Sequence, residues 1–494
     1  MTARKLKLLD ETIRNAQQSL WATRMRTESM LPIADVMDRA GFDAVCVAAG
    51  VTFETAAMYL HEDPWERMRL LRHRMPGTRF DVLVRARNLW GWTAQPHDVQ
   101  RLFLETLMRN GVDSFKLFDG LNDLGNMAFL IAEGRRLGFR IKGLVGFNES
   151  PVHTDEYLAA KAAEFVAHGV DAVILSDSPG VMMPERARSA ITRMRAAIGE
   201  VELDFHCHTT AGLGRAACRE AIRAGVDVIW TAARPLAWGA SLPAAGDILR
   251  MALEEGRSVD VDPDCLDTID DWFTWVAHRE GRPIPEEKPF DPGFYQRYVG
   301  HQIPGGMISN LAQQLKDRGL EDRLPEVLEE AERVRRELGY PHMATPFSQF
   351  VGVQALMNVL EGERYANPPE ALRLYARGAF GRPIAPLDPD VQDRLAGDAP
   401  PIDPQEGMDE PVLPRIRAEH GPFESDEDLL TFLFLHPAAY RDYRRNRRPI
   451  PVRGRPHPVV CLAGELMARR DFARVEVASG QDVLLRIDGP GAPA

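Results

Sequence analysis

A chain of 494 residues with a formal net charge of −12 repels polyanions, which argues against a general nucleic-acid binder and favours an enzyme or an enzyme subunit. Its 45% hydrophobic and 27% charged content is that of a globular protein able to bury one large core plus a second unit, or two to three ordinary domains. Cysteines at 46, 207, 218, 265 and 461 make neither a CxxC pair nor a disulfide framework. With no signal-peptide pattern and no apolar run near the length of a membrane span, the expected location is the cytoplasm.

Apolar, β-branched runs alternate with longer amphipathic stretches from the first residues to about Arg257. Predicted strands are 6–9, 44–49, 80–85, 114–118, 141–147, 172–176, 201–208 and 227–232. Between them lie helix-like segments such as 96–110, 155–168 and 184–198. In the second of these Leu158, Ala162, Phe165 and Val166 share one stripe, while Lys161 and Glu164 fall outside it. Three of the strands follow a Gly-Val-Asp turn, at Gly111, Gly169 and Gly225, and glycine is what a helix C-terminus favours there. Eight strand–helix units in about 250 residues is the pattern of an α/β (β/α)8 TIM barrel. An open doubly wound sheet is the alternative, weakened by the lack of a Gly-rich phosphate turn after the first strand.

Beyond Asp260 the texture changes to Pro/Gly punctuation and helical segments, 307–339 and 346–360, then a Pro-rich stretch, 382–404, and a helical unit, 426–447. The expected domains are a barrel over 1–300, a mainly helical domain over 301–450, and a small β-like tail over 451–494 with strands on either side of Gly480. The most chemical stretch is Phe205-His206-Cys207-His208 followed by a small-residue turn. Alternate strand residues share a face, so His206 and His208 leave the sheet together, at the barrel end where active sites form. Two imidazoles there are half of a metal site, or a hydrogen-bonded pair; the residues alone leave both open. Cys207 points the other way, as a small buried hydrophobe.

Longer motifs settle a family resemblance. Asp10-Glu11-Thr12-Ile13-Arg14-Asn15-Ala16-Gln17-Gln18-Ser19, continuing to Thr27, resembles the opening of the biotin-dependent carboxyltransferases that act on 2-oxo acids. So do Leu60-His61-Glu62-Asp63-Pro64-Trp65-Glu66-Arg67, Phe115-Lys116-Leu117-Phe118-Asp119-Gly120, Ser150-Pro151-Val152-His153-Thr154, His301-Gln302-Ile303-Pro304-Gly305-Gly306 and Ala344-Thr345-Pro346-Phe347-Ser348-Gln349. The branch it is most similar to holds the oxaloacetate decarboxylase α subunit and the transcarboxylase 5S subunit.

The resemblance implies a barrel, a helical domain completing its site, and a divalent ion (zinc, manganese or cobalt) at the mouth. The ion would be held by an Asp, a carbamylated Lys and two histidines. His206 and His208 match the histidines, but Asn15 stands where the Asp belongs and Ser176 where the Lys belongs. Removing two anions from around a dication leaves its charge uncompensated, so metal affinity is expected to be much reduced or absent. Cys46, Ala48, Thr209 and Gln17 also depart from the family pattern near the mouth.

By the same resemblance Arg14 would end strand one and stabilise an enolate, with no carboxylate next to it in sequence. Gln18 and Arg85 would hold the substrate carboxylate, and Thr345 would move a proton. Arg87, of Arg85's parity, would add a second cation. Asn15 and Ser176 would face substrate in the space their counterparts leave. Cys46 lacks an assignable base and is expected to be inert.

The family's biotinyl-lysine motif does not appear in the tail, so biotin is expected on a separate carrier protein. The expected activity is carboxyl transfer or decarboxylation of a small 2-oxo acid or dicarboxylate, in a homodimer without membrane span. The alternatives are a catalytically silent partner subunit and a repurposed lyase of a specialised pathway.

Overall fold

A computed structural model describes residues 5–452, 454, 466, 474–479 and 482–488. Its strands β1 (Lys7–Asp10), β2 (Ala44–Ala49), β3 (Phe80–Arg85), β4 (Ser114–Phe118), β5 (Arg140–Gly146), β6 (Ala172–Asp177), β7 (Glu202–Cys207) and β8 (Val228–Thr231) close in sequence order into a parallel barrel. β1 pairs with both β2 and β8, so no strand edge is left open. The barrel expected from the alternation is present, and the open sheet is not.

The repeated Gly-Val-Asp turns have a second job that the sequence alone did not reveal. Gly111, Gly169 and Gly225 take φ between +80° and +90° as the chain leaves a helix. The aspartate two residues on then accepts a hydrogen bond from the first backbone amides of the neighbouring strand. Asp113 accepts from Phe80 at 2.7 Å, Asp171 from Ile141 at 2.8 Å and Asp227 from Leu203 at 2.9 Å. Each turn therefore locks the N-terminal start of two adjacent strands together, which satisfies donors at the barrel floor.

Strands β2, β3 and β4 have the expected bounds, and the ends of the other five differ by at most one residue. The largest consequence is at β1, which stops at Asp10. Residues Thr12–Ala16 form a π-helical turn, followed by helix Gln17–Leu20. Arg14 therefore does not end the strand. It sits in the turn above it, buried to 5% exposure.

After the barrel, helices Pro292–His301, Gly305–Lys316, Leu324–Glu337, Phe347–Glu361 and Glu370–Ala376 follow. Ile303, Leu311, Val327, Val334, Val351 and Tyr375 build a separate apolar core here. Helix Asp426–Phe434 then returns to the barrel, where Leu429, Leu430 and Phe434 join its core; the Phe434 ring lies edge-on to Phe53 and Phe103. Near the end, β9 (Arg474–Ser479) and β10 (Asp482–Asp488) form an antiparallel ribbon. Among the described residues no helix is long and apolar enough to cross a membrane.

Candidate active site

Strand register fixes what faces the mouth. Gly146 of β5 pairs with Ser176 of β6, which pairs with His206 of β7. Paired residues on parallel neighbours share a face, so these three form a row on the inner wall at the C-terminal end. The row's side chains touch: Ser176 Oγ lies 2.8 Å from His206 Nδ1, and Ser178 Oγ lies 3.2 Å from Ser176 Oγ.

The fate of the histidine pair is decided by Asn15. Its Nδ2 lies 3.1 Å from His206 Nε2 and 3.3 Å from His208 Nε2. His208 Nδ1 is 2.7 Å from the Ala240 carbonyl, which only accepts, so that nitrogen carries the proton and Nε2 carries the lone pair. His206 adopts the same tautomer, donating from Nδ1 to Ser176. The two hydrogens of one amide thus satisfy two imidazole lone pairs that converge on one point. Burial pushes both imidazoles down, His208 to about 4 and His206 well below its usual range, so both are neutral at pH 7.

A divalent ion does not fit this donor set. The two lone pairs that would ligate it are already occupied, and Asn15 and Ser176 bring no negative charge. Asp177, the nearest carboxylate in sequence, points out of the mouth and accepts from the backbone amides of Gly180, Val181 and Met182. Among the described residues no three His, Cys, Asp or Glu side chains converge as a metal site.

Beneath the pair lies a charged floor that sequence reasoning missed. Lys116 of β4, fully buried, contacts Glu11 Oε1 at 2.5 Å and Asp81 Oδ2 at 3.3 Å, and its ammonium lies 4.1 Å from the Trp230 ring centroid. The Trp230 ring in turn lies 4.6 Å from that of His206. Glu11 Oε2 faces Arg14 Nη1 at 3.7 Å, so Arg14 has the carboxylate neighbour its sequence context did not suggest. Although burial opposes it, Lys116 and Arg14 together hold the Glu11 carboxyl below its usual value. The signal for Lys116 was its place at an inward position of an apolar strand.

Of the arginines whose buried Nε has no hydrogen-bond partner, Arg14 and Arg85 are the two that the family resemblance assigns to the mouth. Arg14 Nε is buried without a hydrogen-bond partner, as is Arg85 Nε. Arg85 donates from Nη1 to the Gly91 carbonyl and lies 4.9 Å from the ring centroid of Trp92, an indole 48% exposed on the loop after β3. Burial lowers the Arg85 guanidinium to about 10, with Glu54 opposing. Arg87 does not join it. Strand parity ends at Arg85, the chain turns through Ala86–Asn88, and Arg87 donates to the Pro404 and Ala379 carbonyls instead.

Gln18 is exposed in the short helix Gln17–Leu20, and its buried neighbour Gln17 braces the turn before that helix, donating to Ile13 O and accepting from Met25 N. Thr345 is half-buried in the loop before helix Phe347–Glu361. Cys46 is buried against Glu11, and burial first, then that carboxylate, pushes its thiol far up, so no nucleophile forms. Cys207 faces away from the mouth, 3.5 Å from Cys218 Sγ.

Comparison with known proteins gives a consistent picture. The conserved carboxylase domain family matches residues 299–484, and the HMGL-like family matches residues 139–234. The chain is 39% identical over 441 residues to a pyruvate carboxylase subunit of Methanothermobacter thermautotrophicus, covering 88% of this chain and 76% of that one. It is 31% identical over 498 residues to the methylmalonyl-CoA carboxyltransferase 5S subunit of Propionibacterium freudenreichii subsp. shermanii, covering 99% and 94% respectively. The solved carboxyl transferase domain of Rhizobium etli pyruvate carboxylase with pyruvate superposes with a TM-score of 0.82 at 26% identity, over 90% of this chain and 77% of that one.

Proposed function

Since the chain belongs to the biotin-dependent carboxyltransferase family, we propose that it transfers a carboxyl group to or from a small 2-oxo acid through an enolate, without a metal ion. The observation that carries this reading is the pair of guanidinium groups at the mouth, Arg14 buried and Arg85 half-buried, each with a buried Nε–H that has no partner. A buried cation with a free donor is costly unless an anion completes it. Two of them at a barrel mouth suit a substrate with a carboxylate at one end and a developing oxyanion at the other.

In this reading Arg85 binds the carboxylate, with Gln18 at the rim. Arg14, braced from behind by Glu11 and Lys116, faces the C2 oxygen and stabilises it as charge accumulates there. Asn15 and Ser176 hold the imidazoles in fixed tautomers and present neutral polar surface to the substrate. Biotin, on a separate carrier, would supply or accept the carboxyl group; the Thr345 hydroxyl and the exposed Trp92 indole suit an uncharged ring at the rim, with Thr345 passing a proton to it. A homodimer in the cytoplasm is the proposed assembly.

One observation favours a second reading. An amide has closed the ion site, while the anion-binding residues and scaffold remain. That combination suits a lyase that forms or cleaves a C–C bond in a substrate other than those of the named relatives. A catalytically silent partner subunit would have no use for the two free guanidinium donors.

Purified protein incubated with oxaloacetate, pyruvate and other 2-oxo acids, with and without a carboxybiotin donor, is the direct test. Turnover that persists in EDTA is expected. Absence of turnover with every 2-oxo acid, together with no binding of oxamate, would overturn the proposal.

A further inference from the structure

The inner wall carries one anomaly. Gly146 stands in the row with Ser176 and His206, so β5 contributes no side chain at that level. The place is not empty. A Cβ built on Gly146 would meet the His342 ring at 2.8–2.9 Å. His342 belongs to the loop after helix Leu324–Glu337, outside the barrel, yet its imidazole occupies the position of a β5 side chain.

That placement is held by several bonds. His342 N donates to the Gly120 carbonyl at 2.9 Å, and Met343 N donates to Asn148 Oδ1 at 3.0 Å. The same Oδ1 lies 2.5 Å from His342 Nδ1. Because that oxygen already accepts from Met343, it accepts from Nδ1 as well, which fixes the proton on Nδ1 and the lone pair on Nε2. Asn148 is itself oriented by donating to Gln302 Oε1 at 2.8 Å. Nε2 of His342 has no hydrogen-bond partner among the described residues. The Nε2 lone pairs of His206 and His208, by contrast, are both taken by Asn15.

We propose that His342 is a catalytic base of this site, taking and returning the proton at C3 of the bound 2-oxo acid. The proposal rests on the function inferred above and adds to it the residue that makes the enolate. The C3–H bond breaks and an Nε2–H bond forms. The C–H electron pair becomes the C2=C3 bond, and the C2 carbonyl pair moves onto oxygen, opposite Arg14. In carboxylation the imidazolium's proton goes, by way of the Thr345 hydroxyl, to the ring nitrogen that the departing carboxyl group leaves bare; in the opposite direction the imidazolium returns its proton to C3. A carboxylate bound at Arg85 favours the imidazolium as it forms, since an anion nearby stabilises a cation.

The test is deuterium incorporation at C3 of pyruvate and 2-oxobutyrate in D2O, followed by proton NMR, which needs no biotin carrier. His342→Asn keeps a donor for Asn148 but has no basic nitrogen, and is expected to slow exchange about 100-fold or more with KM within a few-fold of wild type. His342→Gly opens the space beside Gly146, and exogenous imidazole is expected to restore part of its exchange. A packing role alone predicts neither the split between kcat and KM nor the rescue. A wild-type protein that exchanges while His342→Asn matches it, or a His342→Gly protein that stays folded and is not rescued, overturns the role of His342 alone. A wild-type protein that exchanges no 2-oxo acid removes the functional reading and this inference together.

Discussion

Asn15→Asp is the most informative single change, because it converts a donor between two lone pairs into a third acceptor. In the native site the amide donates to His206 at 3.1 Å and His208 at 3.3 Å. In the variant both donations vanish. One imidazole takes up a proton and bonds the new carboxylate; with that ion pair offsetting the burial that holds the ring low in the native site, the protonation costs about 0.7 kcal/mol at pH 7. The other is left as a buried acceptor without a donor, at about 1–3 kcal/mol. The metal-free variant is therefore destabilised by about 2–4 kcal/mol in urea unfolding.

The same change creates a carboxylate and two neutral histidines converging on one point, a three-ligand set with an open position that suits zinc. Zinc at 100 times its Kd stabilises by about 2.7 kcal/mol, which offsets the loss. The assay is urea unfolding of wild type and Asn15→Asp in EDTA and in zinc, with elemental analysis of both. Wild type should be indifferent to zinc and hold no stoichiometric metal, while Asn15→Asp should recover. A wild-type protein that carries a metal at His206 and His208, or a variant indifferent to zinc, would refute the reasoning.

Other outcomes follow from the same geometry. Arg14→Gln should lower kcat by about 10²–10³ with little change in KM, as expected for a donor aimed at a developing oxyanion, whereas Arg85→Gln should mainly raise KM. Cys46, buried with its thiol pushed up, should resist iodoacetamide in the native protein, and Cys46→Ser should leave activity within a few-fold of wild type; rapid labelling in a folded sample would contradict this. Burial lowers His342 to about 4, so the unfolded chain binds its proton first as pH falls. Stability should be unaffected by this group above about pH 7 and decline between about 6.5 and 4, by up to about 3 kcal/mol, and His342→Asn should show a shallower decline in urea unfolding across that window.

The sequence by itself determined the barrel and named residues proposed here as its site. Alternating β-branched runs and amphipathic helices are local consequences of backbone periodicity, and the Gly-Val-Asp turns marked where the chain reverses. The spacing of His206 and His208 placed both on one face, and the long motifs carried the family. Asn15 and Ser176 were legible as departures from the family motif because a charge missing from a motif is visible without coordinates.

What Asn15 does instead was not legible, since it depends on distances between residues 191 and 193 positions apart in the chain. Nor were the carboxylate partner of Arg14, which required β1 to stop at Asp10 and turn, and the departure of Arg87, whose parity ended with its strand. His342 is the clearest case. Nothing in Tyr340-Pro341-His342-Met343 announces a barrel residue, and only the closing of the helical segment over Gly146 puts an imidazole where a strand side chain would be. Periodicity is set by neighbours along the chain, whereas a site is set by which distant side chains share a space, and that is decided only when the core closes.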